Sequence, residues 1–435
     1  MCWQSQIRLG LELQDRSGAG WAYNNSWYLY LYFFGLASNE VLNTALLCER
    51  IAAMFAITVV GAAVATAPPP STTVYLMRHC ARSTYLPDLY GGQKPAYLAN
   101  YSDGGDLPDW GVAPTLCTAR GRKLIQGQGT SLRAEVIARM GGLPIKAIYD
   151  AGSKRDNTTA LDFLTGLGLA TTHRRGEPEI FTPPESWCPK VSADAKMAAV
   201  KAQLKAVPKP SNYDANIDAL QKILGRGVAP PMQIIPDVVS GGPVGWLGGS
   251  FVSSSWIEAM LLQFGAGLPM AYGRVKPSQL YSFLSNHVYY RAVSDKGFAI
   301  EQRGESNLLA HMMNDLSSSS KGGVSLYVGH DTNLDGISTM LSLGWPSAPP
   351  YPANTTVPGG TLRLTRTGEG ANATVDAAFL YTRFEDESGK MAEVEALFPN
   401  GKATISLAEL QKLADGRIDK KCVRLGKGIV EEVAL

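Results

Sequence analysis

VYLMRH (residues 74–79) and SLYVGH (residues 325–330) decide how this chain is read. Each is a short run rich in apolar, β-branched and aromatic residues, and each ends in a histidine, although the chain has only five. Such runs read as strands, the first over 71–79 and the second over 324–331. In α/β sheets, ligands gather at the carboxyl ends of the strands. Both histidines therefore fall where chemistry is usually found.

The surrounding sequence supports that architecture. TARGRKLIQGQGTSLRAEVIARMGG (118–142) has helical spacing and a Gly-Gly stop. IKAIYDA (145–151) reads as a second strand, and KRDNTTALDFLTGL (154–167) as a helix. The order β-α-β-α predicts an α/β fold. Between about 190 and 316 the pattern changes to helices, at 192–206, 212–224, 252–264, 277–292 and 297–316. This predicts a helical insert domain over 185–318, with the α/β domain formed by 68–184 and 319–435. A helix in NLDGISTMLSLG follows the second histidine strand, and TLRLTR (361–366) with VDAAFLYT (375–382) predicts a closing hairpin. Residues 84–117 read as a long loop.

The 435-residue chain carries 40 Lys plus Arg against 38 Asp plus Glu, a formal net charge of +2. That balance argues against a nucleic-acid partner, which normally demands a basic excess. Any positive site must be local. Ile51–Ala67 is apolar and rich in small residues, follows Arg50 and precedes three prolines. It predicts an export signal, and hence a periplasmic or secreted protein with 1–67 outside the fold. A membrane tether is expected only if this segment is retained. No CxxC pair exists among the six cysteines, which excludes zinc ribbons and thioredoxin-type sites. Export would let Cys188 and Cys422 bridge and tie the C-terminal tail to the body. Cys80 reads as a small buried residue.

If the three strands are neighbours, one pocket holds Arg78, His79, Arg82, Arg155, His330 and Asp331. Three guanidinium groups suit a tetrahedral oxyanion such as phosphate. They also disfavour the charged form of a nearby histidine, keeping His79 neutral and nucleophilic in mild acid. Such an imidazole can attack phosphorus and carry the phosphoryl group covalently. Asp331 could then protonate the leaving oxygen. The spacings typical of metal sites are absent, so no metal or other cofactor is expected.

RHCARST (78–84) together with GHDTNL (329–334) resembles the histidine acid phosphatases, whose pattern is RHGxRxP early and HD late. The resemblance continues through WGVAPTLCTARGRKLI (110–125), KRDNTTA (154–160), SSSWIEAMLLQFGAGLPM (253–270) and VPGGTLRL (357–364), so that it spans about 72–425. Within that family the chain has the look of bacterial periplasmic phytases and glucose-1-phosphatases. The resemblance implies a mixed central sheet flanked by helices, phosphoglycerate-mutase-like, with a helical insert. It also implies His79 as nucleophile and Arg78, Arg82 and Arg155 as ligands of the phosphoryl oxygens. His330 would donate beside them and Asp331 would be the proton donor. The implied activity is an acid phosphatase acting on phosphate monoesters such as sugar phosphates or phytate.

The chain departs from the family pattern at three places. Cys80 stands where the motif has glycine, Thr84 where it has proline, and Thr361 where the related strand has Glu. The loop 85–109, with Asp88, Lys94, Asp103 and Asp106, is expected to shape substrate choice. Two rivals share parts of this chemistry. Phosphoglycerate mutases use the same RHG motif but lack a large insert and an export signal. A non-catalytic phosphoester-binding protein would not need the full set of two histidines, three arginines and Asp331.

Overall fold

The computed structural model describes residues 71–84, 102–105, 107–225, 248–294, 298–318, 322–346 and 348–425. The predicted export segment, and Asp88, Lys94 and Asp106 of the predicted specificity loop, lie outside these. The central sheet is mixed. Strand β1 (Ser71–Arg78) lies between a parallel β4 (Gly323–Gly329) and an antiparallel β5 (Thr361–Thr367). Beyond β4 come β2 (Lys146–Tyr149) and β3 (Arg174–Gly176), both parallel. Beyond β5 come β6 (Thr374–Thr382) and β7 (Met391–Glu395), antiparallel, and β8 (Thr404–Ser406) also pairs with β6. The predicted hairpin is thus β5–β6, but it does not close the sheet.

Strand β1 is buried at every residue after Ser71, because both faces of the sheet are covered. Its side chains alternate between two cores. Val74 and Leu76 join a large cluster with Trp256, Leu334 and Phe379, while Tyr75 and Met77 join Ile125, Phe163 and Val328. The second core is covered by α1 (Ala119–Met140) and α2 (Lys154–Leu167). Thr118 caps α1 by accepting from the Gly121 amide, and Gly141 ends it in the left-handed conformation, φ 58°. The two helices approach at Gly129 and Gly166. A Cβ on Gly129 would lie 2.2 Å from the Phe163 carbonyl oxygen, so no larger residue fits.

Between β3 and β4 the described elements are all helices: α3 (Pro178–Phe181), α4 (Ala193–Ala206), α5 (Tyr213–Leu224), α6 (Gly248–Ala266), a 3-10 turn (Met270–Gly273), α7 (Pro277–Ser294) and α8 (Phe298–Ser318). Helix α9 (Asp331–Leu341) follows β4, and α10 (Leu407–Asp415) follows β8. Among the described residues no helix is long and apolar enough to cross a membrane.

Among the described residues two disulfides are present. Cys188–Cys422 ties the C-terminal segment to the helical part, as expected. Cys80 is buried as expected, but it is not merely a small residue: it is bonded to Cys117. Sequence reasoning missed this pair because its partners converge only when the loop after β1 lies against the start of α1.

Candidate active site

The strand order creates the site. Because β1, β4 and β2 are adjacent and parallel, their carboxyl ends lie side by side. Arg78 is in register with Gly329, the His79 amide donates to the Gly329 carbonyl at 2.9 Å, and the Asp150 amide donates to Val328 at 3.0 Å. The rings of His79 and His330 are consequently 5.5 Å apart, edge to face. All six residues singled out in the sequence, Arg78, His79, Arg82, Arg155, His330 and Asp331, belong to one connected cluster of contacts and charge interactions.

His79 is 1% exposed, and its Nδ1 lies 2.9 Å from the Cys80 carbonyl oxygen. A carbonyl only accepts, so Nδ1 carries the proton and Nε2 keeps the lone pair. Burial, then the charges of Arg155, Arg82 and Arg78, hold its pKa well below the usual histidine range. The charged form of the ring is therefore disfavoured, which leaves a lone pair on Nε2.

Arg78 leaves the end of β1 fully enclosed. It donates through Nη1 to the Thr356 carbonyl and through Nη2 to Glu258, and Nη2 lies 3.2 Å from Asp331. Its Nε is buried with no hydrogen-bond partner, which leaves one donor for an anion. Arg82 donates to the Ser83 carbonyl at 2.9 Å, and Arg155 donates from Nη2 to His330 Nδ1 at 3.0 Å.

That last contact fixes the tautomer of His330. A guanidinium can only donate, so Nδ1 accepts and Nε2 carries the proton and donates to Asp150 at 3.1 Å, with an Asp156 oxygen 3.3 Å away but not hydrogen-bonded. Burial, with Asp150 adding to it, pushes the Asp156 carboxyl up to about 9, so it stays protonated at neutral pH. The His330 backbone is held as well. Its amide donates to Asn333 Oδ1 at 2.8 Å, and Asn333 Nδ2 donates to the buried Glu305 carboxyl at 3.0 Å.

Among the described residues one group has the composition of a small metal site: Asp150, Asp156 and His330 place ligand atoms within 4.8 Å of one another. His330 Nε2 already bears a proton while Arg155 occupies Nδ1, so its lone pair is not available to a cation. Within the group Asp150 is the hydrogen-bonded support of His330, and Asp156 packs beside it.

Asp331 opens α9. Its Oδ2 lies 3.2 Å from Arg78 and 3.5 Å from Arg291, and Arg291 also holds Asp335 at 2.5 Å. Burial would raise the Asp331 carboxyl, but the charges of Arg291, Arg78 and Arg82 outweigh it, and it sits well below the usual carboxylate range. The helical part thus supplies one wall: Glu258 from α6, and His287 and Arg291 from α7. His287 lies 3.5 Å from Glu258 and 2.8 Å from Ser254.

Sequence reasoning missed Asp150, Asp156, Arg291 and Glu305 as members of this network. Asp150 was legible, since it ends a strand as the two histidines do. The others sit inside helices, and only the fold brings them in. Thr361 is buried and donates to the Gly359 carbonyl at 3.1 Å. Asp103 of the predicted specificity loop is ion-paired with Arg274.

Beside His330 and Arg155 opens a cavity of about 800 Å³, lined by Ala113–Leu116, Gly152–Lys154, Pro178 and Thr182. Its lining combines small neutral side chains with Lys154, Arg155, Asp150 and His330. The arrangement as a whole sets the charges of three arginines around a buried imidazole, with a cavity opening beside Arg155 and His330.

No protein-family profile matches the chain, and no curated protein does. Solved structures do. The Hafnia alvei phytase in complex with myo-inositol hexakis sulphate superimposes with a TM-score of 0.69 at 20% identity, covering 82% of this chain and 99% of that one. The Klebsiella sp. ASR1 phytase gives 0.69 at 17% identity, over 82% and 98%. The Citrobacter braakii phytase gives 0.67 at 20%, over 81% and 98%. The chain therefore has the fold of the bacterial phytases, which is the fold the sequence resemblance implied.

Proposed function

We propose that this protein is a phosphomonoesterase that works through a phosphohistidine on His79. The observation that carries the reading is the state of that ring: buried, neutral, with Nδ1 pinned to a carbonyl and Nε2 free, beside the charges of three arginines. The substrate phosphate would take donors from Arg78, Arg82 and Arg155. The Nε2 lone pair attacks phosphorus, the P–O ester bond breaks, and the leaving oxygen takes its proton from Asp331. Water then attacks the phosphohistidine, gives a proton back to Asp331, and releases inorganic phosphate.

His330 fits this scheme once Arg155 turns to the phosphate. With Nε2 held by Asp150, Nδ1 is the atom left to face a phosphoryl oxygen, and it donates there by taking up a second proton in place of the Arg155 contact. Asp331 must be protonated to act, although the arginines keep it ionised in the free site. A phosphate dianion satisfies those arginines and repels the carboxylate, both of which raise its pKa.

In this reading residues 68–184 and 319–435 form the α/β domain that carries the nucleophile. The helical insert, 185–318, contributes the wall with Glu258 and Arg291. Sugar phosphates or inositol phosphates are the substrate class, in keeping with the phytase fold and the adjoining cavity. Two disulfides fit folding in an oxidising compartment, hence a periplasmic or secreted enzyme. Turnover of a panel of phosphate monoesters across pH, with and without a chelator, tests the proposal. Absence of turnover on every ester, with phosphate still bound, would leave a binding protein instead.

A further inference from the structure

We propose that the Cys80–Cys117 disulfide is a positioning element of the phosphoryl-transfer site, so that the nucleophile is competent only in the oxidised chain. The inference rests on His79 being the nucleophile, and concerns what holds that residue in place.

Cys80 is the next residue after His79, and its carbonyl is the group that fixes His79 Nδ1. Its amide donates to Thr159 of α2 at 3.0 Å, and its sulfur is bonded to Cys117, with the two Cα atoms 5.7 Å apart. Cys117 in turn precedes Thr118, the N-cap of α1. The same two segments are laced by weaker links. Thr118 donates its amide to the Ala81 carbonyl and Ser83 to that of Leu116, both at 3.0 Å, and Arg82 pairs with Cys117 as a β-bridge. The disulfide is the one covalent link in this set. It begins one peptide from the nucleophile and spans the loop that also presents Arg82.

The site leaves no slack for reduction. Cys80 is 0% and Cys117 6% exposed, both within the core under α1 and α2. The fit against α1 is tight, since a Cβ on Gly121 would meet the Ala81 carbonyl oxygen at 2.2 Å. A bonded sulfur pair spans ~2.05 Å, whereas two thiols must separate to van der Waals contact, roughly 3.5–4 Å. With both cysteines buried, we expect that separation to displace the loop at residues 80–82. A misplacement of about 1 Å at a reacting group can cost ~10²-fold in rate. The consequence is latency in a reducing compartment. Activity appears when the two thiols lose two protons and two electrons to a disulfide oxidant, which becomes two thiols.

Two chains and one treatment test this, with p-nitrophenyl phosphate as substrate. The first chain is Cys80→Ala/Cys117→Ala. The second is Cys188→Ala/Cys422→Ala, which removes the remote disulfide and leaves the proposed one. Reduction of the second chain by dithiothreitol, followed by reoxidation with oxidised glutathione, opens and recloses Cys80–Cys117. We expect the first chain to lose at least tenfold in kcat with a native circular dichroism spectrum. The second should keep kcat within twofold before reduction, lose ~10²-fold on reduction, and recover on reoxidation. A merely structural bridge would lower Tm without this reversible loss of kcat. Retention of kcat within twofold by the reduced second chain overturns the proposal, whether or not the first chain folds. His79→Ala, assayed alongside, separates the two inferences. Activity in that variant defeats the nucleophile assignment, whereas its inactivity beside an active reduced chain defeats only the disulfide.

Discussion

Asp331→Asn is the perturbation that most sharply divides chemistry from scaffolding. Asp331 Oδ2 lies between Arg78 at 3.2 Å and Arg291 at 3.5 Å, and the carboxyl is held well below its usual range. The free enzyme therefore binds substrate with Asp331 ionised, and the proton it later donates must enter with the substrate. A phosphate monoester has its second pKa near ~6. Above that value kcat/KM for an alkyl ester such as glucose 6-phosphate should fall about tenfold per pH unit. A sugar alkoxide is a poor leaving group, so losing the acid should cost ~10²–10⁴-fold, about 3–5 kcal/mol of transition-state stabilisation. A nitrophenol departs readily as its anion, so with p-nitrophenyl phosphate the loss should stay below about tenfold. Both substrates are assayed on both proteins from pH 3 to 8. Asn keeps the size of the side chain and one acceptor for Arg78. An equal loss on the two substrates would refute the reasoning. Asp331 would then be an anchor for Arg78 and Arg291, and Glu258, which also holds Arg78, would be the next acid to examine.

Three further outcomes are expected. Arg155→Ala removes a charge-assisted contact and the donor on His330 Nδ1, so it should raise KM and lower kcat together, at least ~2 kcal/mol in kcat/KM; a wild-type rate would place Arg155 outside the pocket. Glu305 is a fully buried carboxyl pushed up to about 8 by burial. From about pH 4 to 8 the unfolded chain releases this proton while the fold retains it, so wild-type stability should fall with rising pH over that window. Glu305→Gln removes that slope, and a Tm difference between the two proteins that does not change with pH would contradict the assignment. Loss of the Cys188–Cys422 bridge should cost about 2–5 kcal/mol of stability, because it closes a long loop, yet leave kcat unchanged; chemical denaturation and the phosphatase assay read the two effects separately.

The elements legible in the sequence were those with strong periodicity. The helix expected at 154–167 is Lys154–Leu167, and the histidine-ended strands are Ser71–Arg78 and Gly323–Gly329. Their shared apolar character follows from a sheet covered on both faces. The strand Arg174–Gly176 was missed because three polar or glycine residues at a sheet edge carry no alternation. The strands Met391–Glu395 and Thr404–Ser406 were missed for a related reason, since they are short and half-exposed. The site divides in the same way. Residues at strand ends announced themselves, because chemistry and strand termini coincide in this kind of sheet. Asp156 and Glu305 did not, because a buried carboxyl within a helix looks in sequence like any solvated one. Cys80 was legible as a departure from the motif, but its partner could be read only from the loop's position against α1.

The central claim is that His79 carries the phosphoryl group, and trapping that species tests it most directly. Wild-type enzyme mixed with ³²P-labelled phosphate monoester and quenched in denaturant should carry label that is stable to base and labile to acid. Peptide mapping should place it on the segment containing His79. His79→Ala should fold, bind no label and show no turnover. Label on a serine or aspartate, or undiminished turnover by His79→Ala, would contradict the account.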